Sequence, residues 1–252
     1  MRIPLTRIQK LIGERMSKSK LNKPCFYIES KADVTELMGL RPKLSKSLGV
    51  KITSNTFFIR ALALAAKKYP VMVGRLDSED IKIADAINIG FAVNASGGVI
   101  VPVIKDADKK TLAEIAWEDK LLTEKARSNR LTLAEIEGQT IALSNLGVYG
   151  IDSFLGIVPP PTSTILAVGN VVKTVIPRPR TDCPPPDIPL PAAGLQSTAL
   201  VQLVRGKTMV RKITSLSLAV DRRIINEDYA AQFLDFITEQ LQNPQQLIPP
   251  LS

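Results

Sequence analysis

Hydrophobic and polar positions fall into two periods along this chain, 3.6 and 2, and the switches between them mark out its elements. At the start, Ile8, Leu11, Ile12 and Met16 share one face of a basic amphipathic helix within Ile3–Lys20, a stripe that needs something to cover. Pro24–Ile28 reads as a strand. Asp33-Val-Thr-Glu36 has the spacing of a capping box and predicts a helix through Leu37, Leu40 and Leu44, with Pro42 inside it and Gly49 at its end. A second helix spans Thr53–Tyr69, burying Phe57, Phe58, Ala61, Leu62 and Ala65, and Pro70 stops it.

The period then changes. Ile87–Val93 and Val99–Ile104 flank the turn Asn94-Ala-Ser-Gly-Gly98 and predict a hairpin. Thr111-Leu-Ala-Glu114 and Thr132-Leu-Ala-Glu135 are two further capping boxes, the first opening a helix to about Arg127. Thr140–Ser144 predicts a strand, Asn145–Gly150 a glycine-punctuated loop, and Thr164–Gly169 another strand. Ile176–Pro191 carries seven prolines and reads as an extended surface loop. Along Ile213–Val220, Thr214, Leu216, Leu218 and Val220 alternate with Ser215, Ser217 and Ala219, the pattern of a strand with one buried face. It delivers Asp221, Arg222 and Arg223 into a tight turn; Tyr229, Phe233, Phe236, Ile237 and Leu241 then form the stripe of a helix that ends before Pro244.

The 252 residues, 45% of them hydrophobic, suffice for a real core, and no apolar run reaches the roughly 20 residues that cross a bilayer. A soluble, non-secreted globular chain is expected, cytoplasmic, or in the mitochondrial matrix if the source is eukaryotic. Cys25 and Cys183 lie far apart, which indicates neither a disulfide framework nor a thiolate metal site. There is no histidine, so every Ser-His-Asp, Cys-His and His-metal mechanism is excluded, leaving Asp, Glu, Lys, Tyr and Cys as proton acceptors. The net charge of +9 is lopsided: residues 1–70 hold 15 Lys+Arg against 4 Asp+Glu, or +11, and the remainder holds 18 against 20, or −2. Such a segment suits an anionic partner or simply a solvated face. Nucleic acid is disfavoured, since no binding motif or aromatic platform accompanies it.

Four blocks in order resemble the dihydrolipoamide acyltransferase cores of 2-oxoacid dehydrogenase complexes: Glu14-Arg15-Met16 leading to Pro24-Cys25-Phe26, the Asp33–Arg41 segment, Thr140–Gly150 against the family's T-x-x-I-S-N-L-G-x-x-G, and Asp221–Glu227 against D-H-R-x-x-D/N-G. The resemblance runs from about Ile3 to Leu247. It implies an α/β, chloramphenicol-acetyltransferase-like two-layer sandwich, a mixed sheet covered by helices, forming trimers with active sites between subunits and assemblies of 24 or 60. One domain over 1–252 is expected, with a basic arm (1–23), a proline-rich insertion (176–191) where members usually have a shorter hairpin, and a C-terminal helix and assembly tail (228–252). Lipoyl and peripheral-subunit-binding domains are not recognisable.

By that resemblance, a histidine takes the proton from coenzyme A, the thiolate attacks the acyl-lipoamide thioester, and a serine or threonine stabilises the oxyanion. The thiol, with a pKa of about 8.5, needs a base near neutrality and the tetrahedral intermediate needs a fixed donor. Ser144 matches the serine; it either serves so or bonds its own turn. Arg222 stands at the histidine position, where guanidinium cannot act as a base. It either holds an anion or forms a salt bridge with Asp221, Glu227 or Asp228. Asn226 occurs at its position in some acetyl-transferring members, whereas Glu227 replaces a glycine and would be strained if positive φ were required. Arg41 and Thr53 match coenzyme A contacts, with a solvated helix arginine as the plainer reading of Arg41. No metal site is indicated. The expected function is an acyltransferase-like core subunit, of pyruvate dehydrogenase or a related complex, that is catalytically deficient like protein X-type members and co-assembles with itself or an active paralogue. The alternative is an active dihydrolipoamide acyltransferase with a non-histidine mechanism.

Overall fold

The computed structural model describes residues 3–95, 98–177 and 208–248. A six-stranded mixed sheet organises it, in the order β1-β10-β9-β8-β4-β7. The strands are β1 (Cys25–Asp33), β4 (Ile89–Phe91), β7 (Val103–Ile104), β8 (Ile141–Asn145), β9 (Thr164–Pro177) and β10 (Thr208–Asp221). β8 runs parallel to β4 and β9, and the other neighbours are antiparallel. Two separate hairpins are β2 (Gly74–Asp77) with β3 (Asp80–Ile83), and β5 (Val93–Ala95) with β6 (Gly98–Ile100).

Helices α2 (Thr35–Ser47), α3 (Ser54–Lys68), α4 (Leu112–Arg127) and α6 (Glu227–Gln242) supply the apolar layer, and α5 (Leu133–Ile136) is one turn. Phe57, Phe58, Leu62, Phe233 and Ile237 of α3 and α6 are buried with Leu216, Leu218 and Val220 of β10. Tyr69 sits edge-on to Tyr229 and Phe236 and closes the rim. The second sheet face holds a smaller cluster of Ala142, Val158, Ile165 and Ala219, with Cys25 and Tyr27 packed against it. Ser217 and Ala219 are therefore buried as well. Strand β10 is covered on both faces near its end, not on one as its alternation suggested, because small residues satisfy a thin second layer.

Helix α1 (Arg7–Asn22) begins at a Thr6–Gln9 capping box that the sequence reading passed over. Its C-terminal half is docked, with the Ser19 hydroxyl donating to the Val158 carbonyl, while Ile3, Leu5 and Leu11 stay exposed. At the other terminus, Leu241 and Leu247 are fully buried in the chain's own core and Ile248 packs against it, so these tail residues present no free apolar face; Leu251 lies outside the described residues.

Several expectations are corrected. Asp33 does not cap α2 through Glu36: β1 pairs as far as Asp33, and its Oδ1 accepts from the Thr35 backbone N–H (2.9 Å) and hydroxyl (2.6 Å). The hairpin of 87–104 splits in two, since Pro102 has no N–H for a continuous ladder; β4 and β7 stay in the sheet while β5 and β6 pair apart from it. Strands β9 and β10 are each longer than expected, and Ile176 and Pro177, assigned to the proline-rich loop, pair with Met209 and Thr208. The rest of that loop, with Cys183, lies outside the described residues.

Candidate functional site

The residues singled out by motif occupy two places. At the first, β10 ends in Asp221, whose side chain is 1% exposed. Its carboxylate accepts from Arg223 Nε (2.9 Å) and Nη2 (2.7 Å) and from the Arg223 backbone N–H (3.1 Å). Its carbonyl takes the N–H groups of Ile224 and Ile225, so one residue ties the turn from both ends. That pairing raises the Arg223 pKa, with its hydrogen bond to Asp221 as the largest cause. Arg222 points the other way. Its backbone N–H is fixed by the Pro24 carbonyl (3.0 Å), and its side chain, half exposed, pairs with Glu227 Oε1 at 2.7 Å. Of the partners expected for Arg222, Glu227 is the one the fold supplies.

Asn226 is the N-cap of α6, its Oδ1 accepting from the Tyr229 N–H at 2.9 Å. Glu227 is therefore the first helical residue, and it is not among the residues with positive φ. The glutamate at the family's glycine position costs no backbone strain. Its carboxyl lies below the usual range, first through a hydrogen bond from its own backbone N–H and then through Arg222.

Beside the turn, burial lowers the pKa of Lys23, whose Nζ donates to the Thr162 carbonyl, and burial with the Asp221 charge raises that of the Cys25 thiol. The change at Cys25 keeps its thiol protonated.

The second place is a cavity of about 310 Å³ between the start of α3, α4 and the end of β8. Ser144 lines it, and its hydroxyl makes no hydrogen bond among the described residues; the neighbouring Asn145 takes the turn-bonding role instead, accepting from the Gly147 N–H at 3.0 Å. Among the described residues, then, nothing claims the Ser144 hydroxyl's hydrogen. Gly147 and Gly169 let this loop lie against β9: a Cβ on Gly147 would come within 2.4 Å of the Gly169 carbonyl oxygen.

Thr53 lines the same cavity but is committed. As N-cap of α3 it accepts from the Thr56 N–H (3.1 Å) and gives its single hydrogen to Asp119 Oδ2 (2.9 Å). Asp119, 5% exposed, also accepts from Asn55 (3.3 Å), and burial raises its carboxyl above the usual range. The sequence reading missed it. Its signal was a carboxylate on the apolar stripe of α4, in step with Leu112, Ile115, Ala116, Leu122 and Ala126. Arg41 is exposed on α2 and does not line this cavity.

Ser144 and the Arg222 turn do not meet within one chain. Ser144 is level with Ala167 of β9, and Ala167 with Ser217 of β10. Two strand spacings and four residues along β10 separate Ser144 from Asp221 by about 16 Å. No group of three or more His, Cys, Asp or Glu among the described residues is placed to hold a metal ion, and no helix there is long and apolar enough to cross a membrane.

The family model for the 2-oxoacid dehydrogenase acyltransferase catalytic domain matches residues 1–248. The chain belongs to this family. It is 32% identical over 251 residues to the dihydrolipoyllysine-residue acetyltransferase component 2 of the pyruvate dehydrogenase complex of Arabidopsis thaliana, covering 98% of this chain and 42% of that protein. To the pyruvate dehydrogenase protein X component of Mus musculus it is 31% identical over 247 residues, covering 97% and 44%. The dihydrolipoamide acetyltransferase of Azotobacter vinelandii, studied for the roles of a serine, a histidine and an asparagine in its catalysis, superposes with a TM-score of 0.83 at 27% identity, covering 98% of this chain and 93% of that one. Chloramphenicol acetyltransferase shares the fold, at 12% identity, a TM-score of 0.50 and coverage of 90% and 94%. The chain spans about half the length of the curated relatives it matches.

Proposed function

We propose that this chain is a core subunit of a 2-oxoacid dehydrogenase-type complex that has lost the family's general base and serves assembly more than acyl transfer. The observation that carries this reading is the absence of histidine from all 252 residues, joined to an Arg222 that the fold ties to Glu227. A guanidinium keeps its proton at any pH the fold survives, so it cannot accept one from a thiol. The protein X relative supports the reading, as a complex component named apart from the acetyltransferase.

Part of the family's apparatus supports this reading: Ser144 lines its cavity without a hydrogen bond among the described residues, Asn226 caps α6, and Asp221 holds the turn that would present a base, whereas Thr53 is committed to Asp119 and Arg41 lies away from that cavity. The separation of about 16 Å between the two halves argues that a working site would be assembled from neighbouring copies, which fits trimers built into a larger core. The substrates would be acyl-lipoamide and coenzyme A, the slender thiol-bearing arm of either being of a size for the Ser144 cavity.

The test is acyl transfer from acetyl-dihydrolipoamide to coenzyme A by the natural protein, by Arg222→His, and by Arg222→His with Glu227→Gly. The double variant removes the carboxylate that would otherwise engage the new imidazole. The natural protein is expected to be silent and the double variant to gain about 10²-fold or more, the usual worth of a positioned general base. A natural protein that turns over well, with a rate climbing toward the thiol pKa of about 8.5 and no plateau near neutrality, establishes instead the alternative of a non-histidine mechanism.

A further inference from the structure

We infer that a second cavity, at the foot of the β2–β3 hairpin, is a binding site for a small molecule carrying one phosphate or carboxylate on an apolar body. The cavity holds about 330 Å³ and is lined by Arg75, Lys82 and Gln139, with Val73, Ile83 and Pro161 as its apolar wall. It lies outside the Ser144 cavity and shares no lining residue with it.

Arg75 and Lys82 are directly opposite one another across the hairpin. Directly paired residues of antiparallel strands project to the same face with Cβ atoms about 5 Å apart, and like charges so placed destabilise the pair. Neither cation is relieved from within the fold: among the described residues no carboxylate lies within ion-pair distance of either. Asp85, also on the wall, is left unpaired in the same way. An anion seated between the two guanidinium and ammonium groups removes the repulsion and gains two charge-assisted hydrogen bonds.

One further feature suits a ligand. The hairpin is held at its base, with the buried Ser163 hydroxyl donating to the Gly74 carbonyl at 2.6 Å and Thr164 to that of Met72 at 2.9 Å, so the cations project from a fixed frame. Asp85 sets the selectivity: a ligand with a second anionic group at its far end would meet it, whereas one with a single anionic group on an apolar body can turn its uncharged side toward it. The site holds whether or not Arg222 disarms the chain, since it uses none of that turn's side chains.

The experiment is calorimetric and NMR titration of the full chain with phenyl phosphate, phenylacetate and the neutral benzyl alcohol. Saturable binding of one or both anions is expected in about the millimolar range, the relative affinity naming the favoured anion, with benzyl alcohol weaker by about tenfold or more. Arg75→Ala and Lys82→Gln are each expected to weaken the anion by about tenfold, while Lys82→Gln raises the melting temperature of the ligand-free protein by relieving the repulsion. That opposite response separates a ligand site from a merely structural pair. Equal affinity for benzyl alcohol, anion affinity unchanged in both variants, or no saturation with either anion overturns the assignment.

Discussion

Two adjacent arginines, Arg222 and Arg223, should answer the same substitution very differently. Each forms one ion pair at 2.7 Å, but Asp221 is 1% exposed whereas Glu227 is 61% exposed. Replacing Arg223 by Met keeps much of the aliphatic stem and strands the Asp221 carboxylate in the core. Breaking a buried pair from one side costs about 3–5 kcal/mol. Arg223 is itself 38% exposed, so water screens part of the field and the low end, about 3 kcal/mol, is expected. At about 2–4 °C per kcal/mol for a chain of this size, the melting temperature should fall by about 6–12 °C. Arg222→Met removes a solvated pair worth about 0.5 kcal/mol and should move it by about 2 °C or less. Thermal unfolding followed by circular dichroism at pH 7 measures both, and urea midpoints check them. Adding Asp221→Asn to Arg223→Met should recover part of the loss, because the stranded charge is gone. If Arg223→Met costs no more than Arg222→Met, the bidentate pair is not what holds the turn, and the placement of residue 222 must be explained otherwise.

Asp119 gives a pH-dependent test. Its folded pKa is raised, so the stability it contributes is fully present below the unfolded value of about 3.9 and is lost as pH rises through the folded value. Asp119→Asn should therefore leave the melting temperature nearly unchanged near pH 3 and raise it above the natural protein's at pH 7; a variant less stable at pH 7 but not near pH 3 would show instead that the charged carboxylate holds α3 and α4 together. Gly169→Ala tests the approach of the Ser144 loop to β9. A Cβ there would lie 1.8 Å from the Asp152 carbonyl oxygen, and the forced shift should cost about 3 kcal/mol or more, by analogy with severe overpacking. An unfolding midpoint within error of the natural protein would mean that the loop is not pinned at that contact.

Much of this fold was legible because local rules and burial agree. The capping boxes at Thr111 and Thr132, the stop at Pro70, and the stripe of α6 are decided by residues within a turn of one another, and each stands where the pattern put it. The chemistry most readable from sequence was an absence: without histidine, no arrangement of the chain can supply an imidazole at Arg222. Pairing between distant segments decided the rest. Whether Asp33 caps Glu36 or holds Thr35 depends on how far β1 follows β10, and the burial of Ser217 and Ala219 depends on a second layer contributed from residues 142–165. Thr53 matches a ligand contact by motif, yet its one hydrogen is claimed by Asp119, 66 positions away. The glutamate in place of glycine looked strained only until α6 was seen to begin there. Sequence thus settled which groups the chain possesses and which short stretches turn or coil, since these follow from composition and neighbours. Tertiary structure alone decided which of those groups are spent on one another and which remain free, because a donor's partner is set by distance in space rather than along the chain.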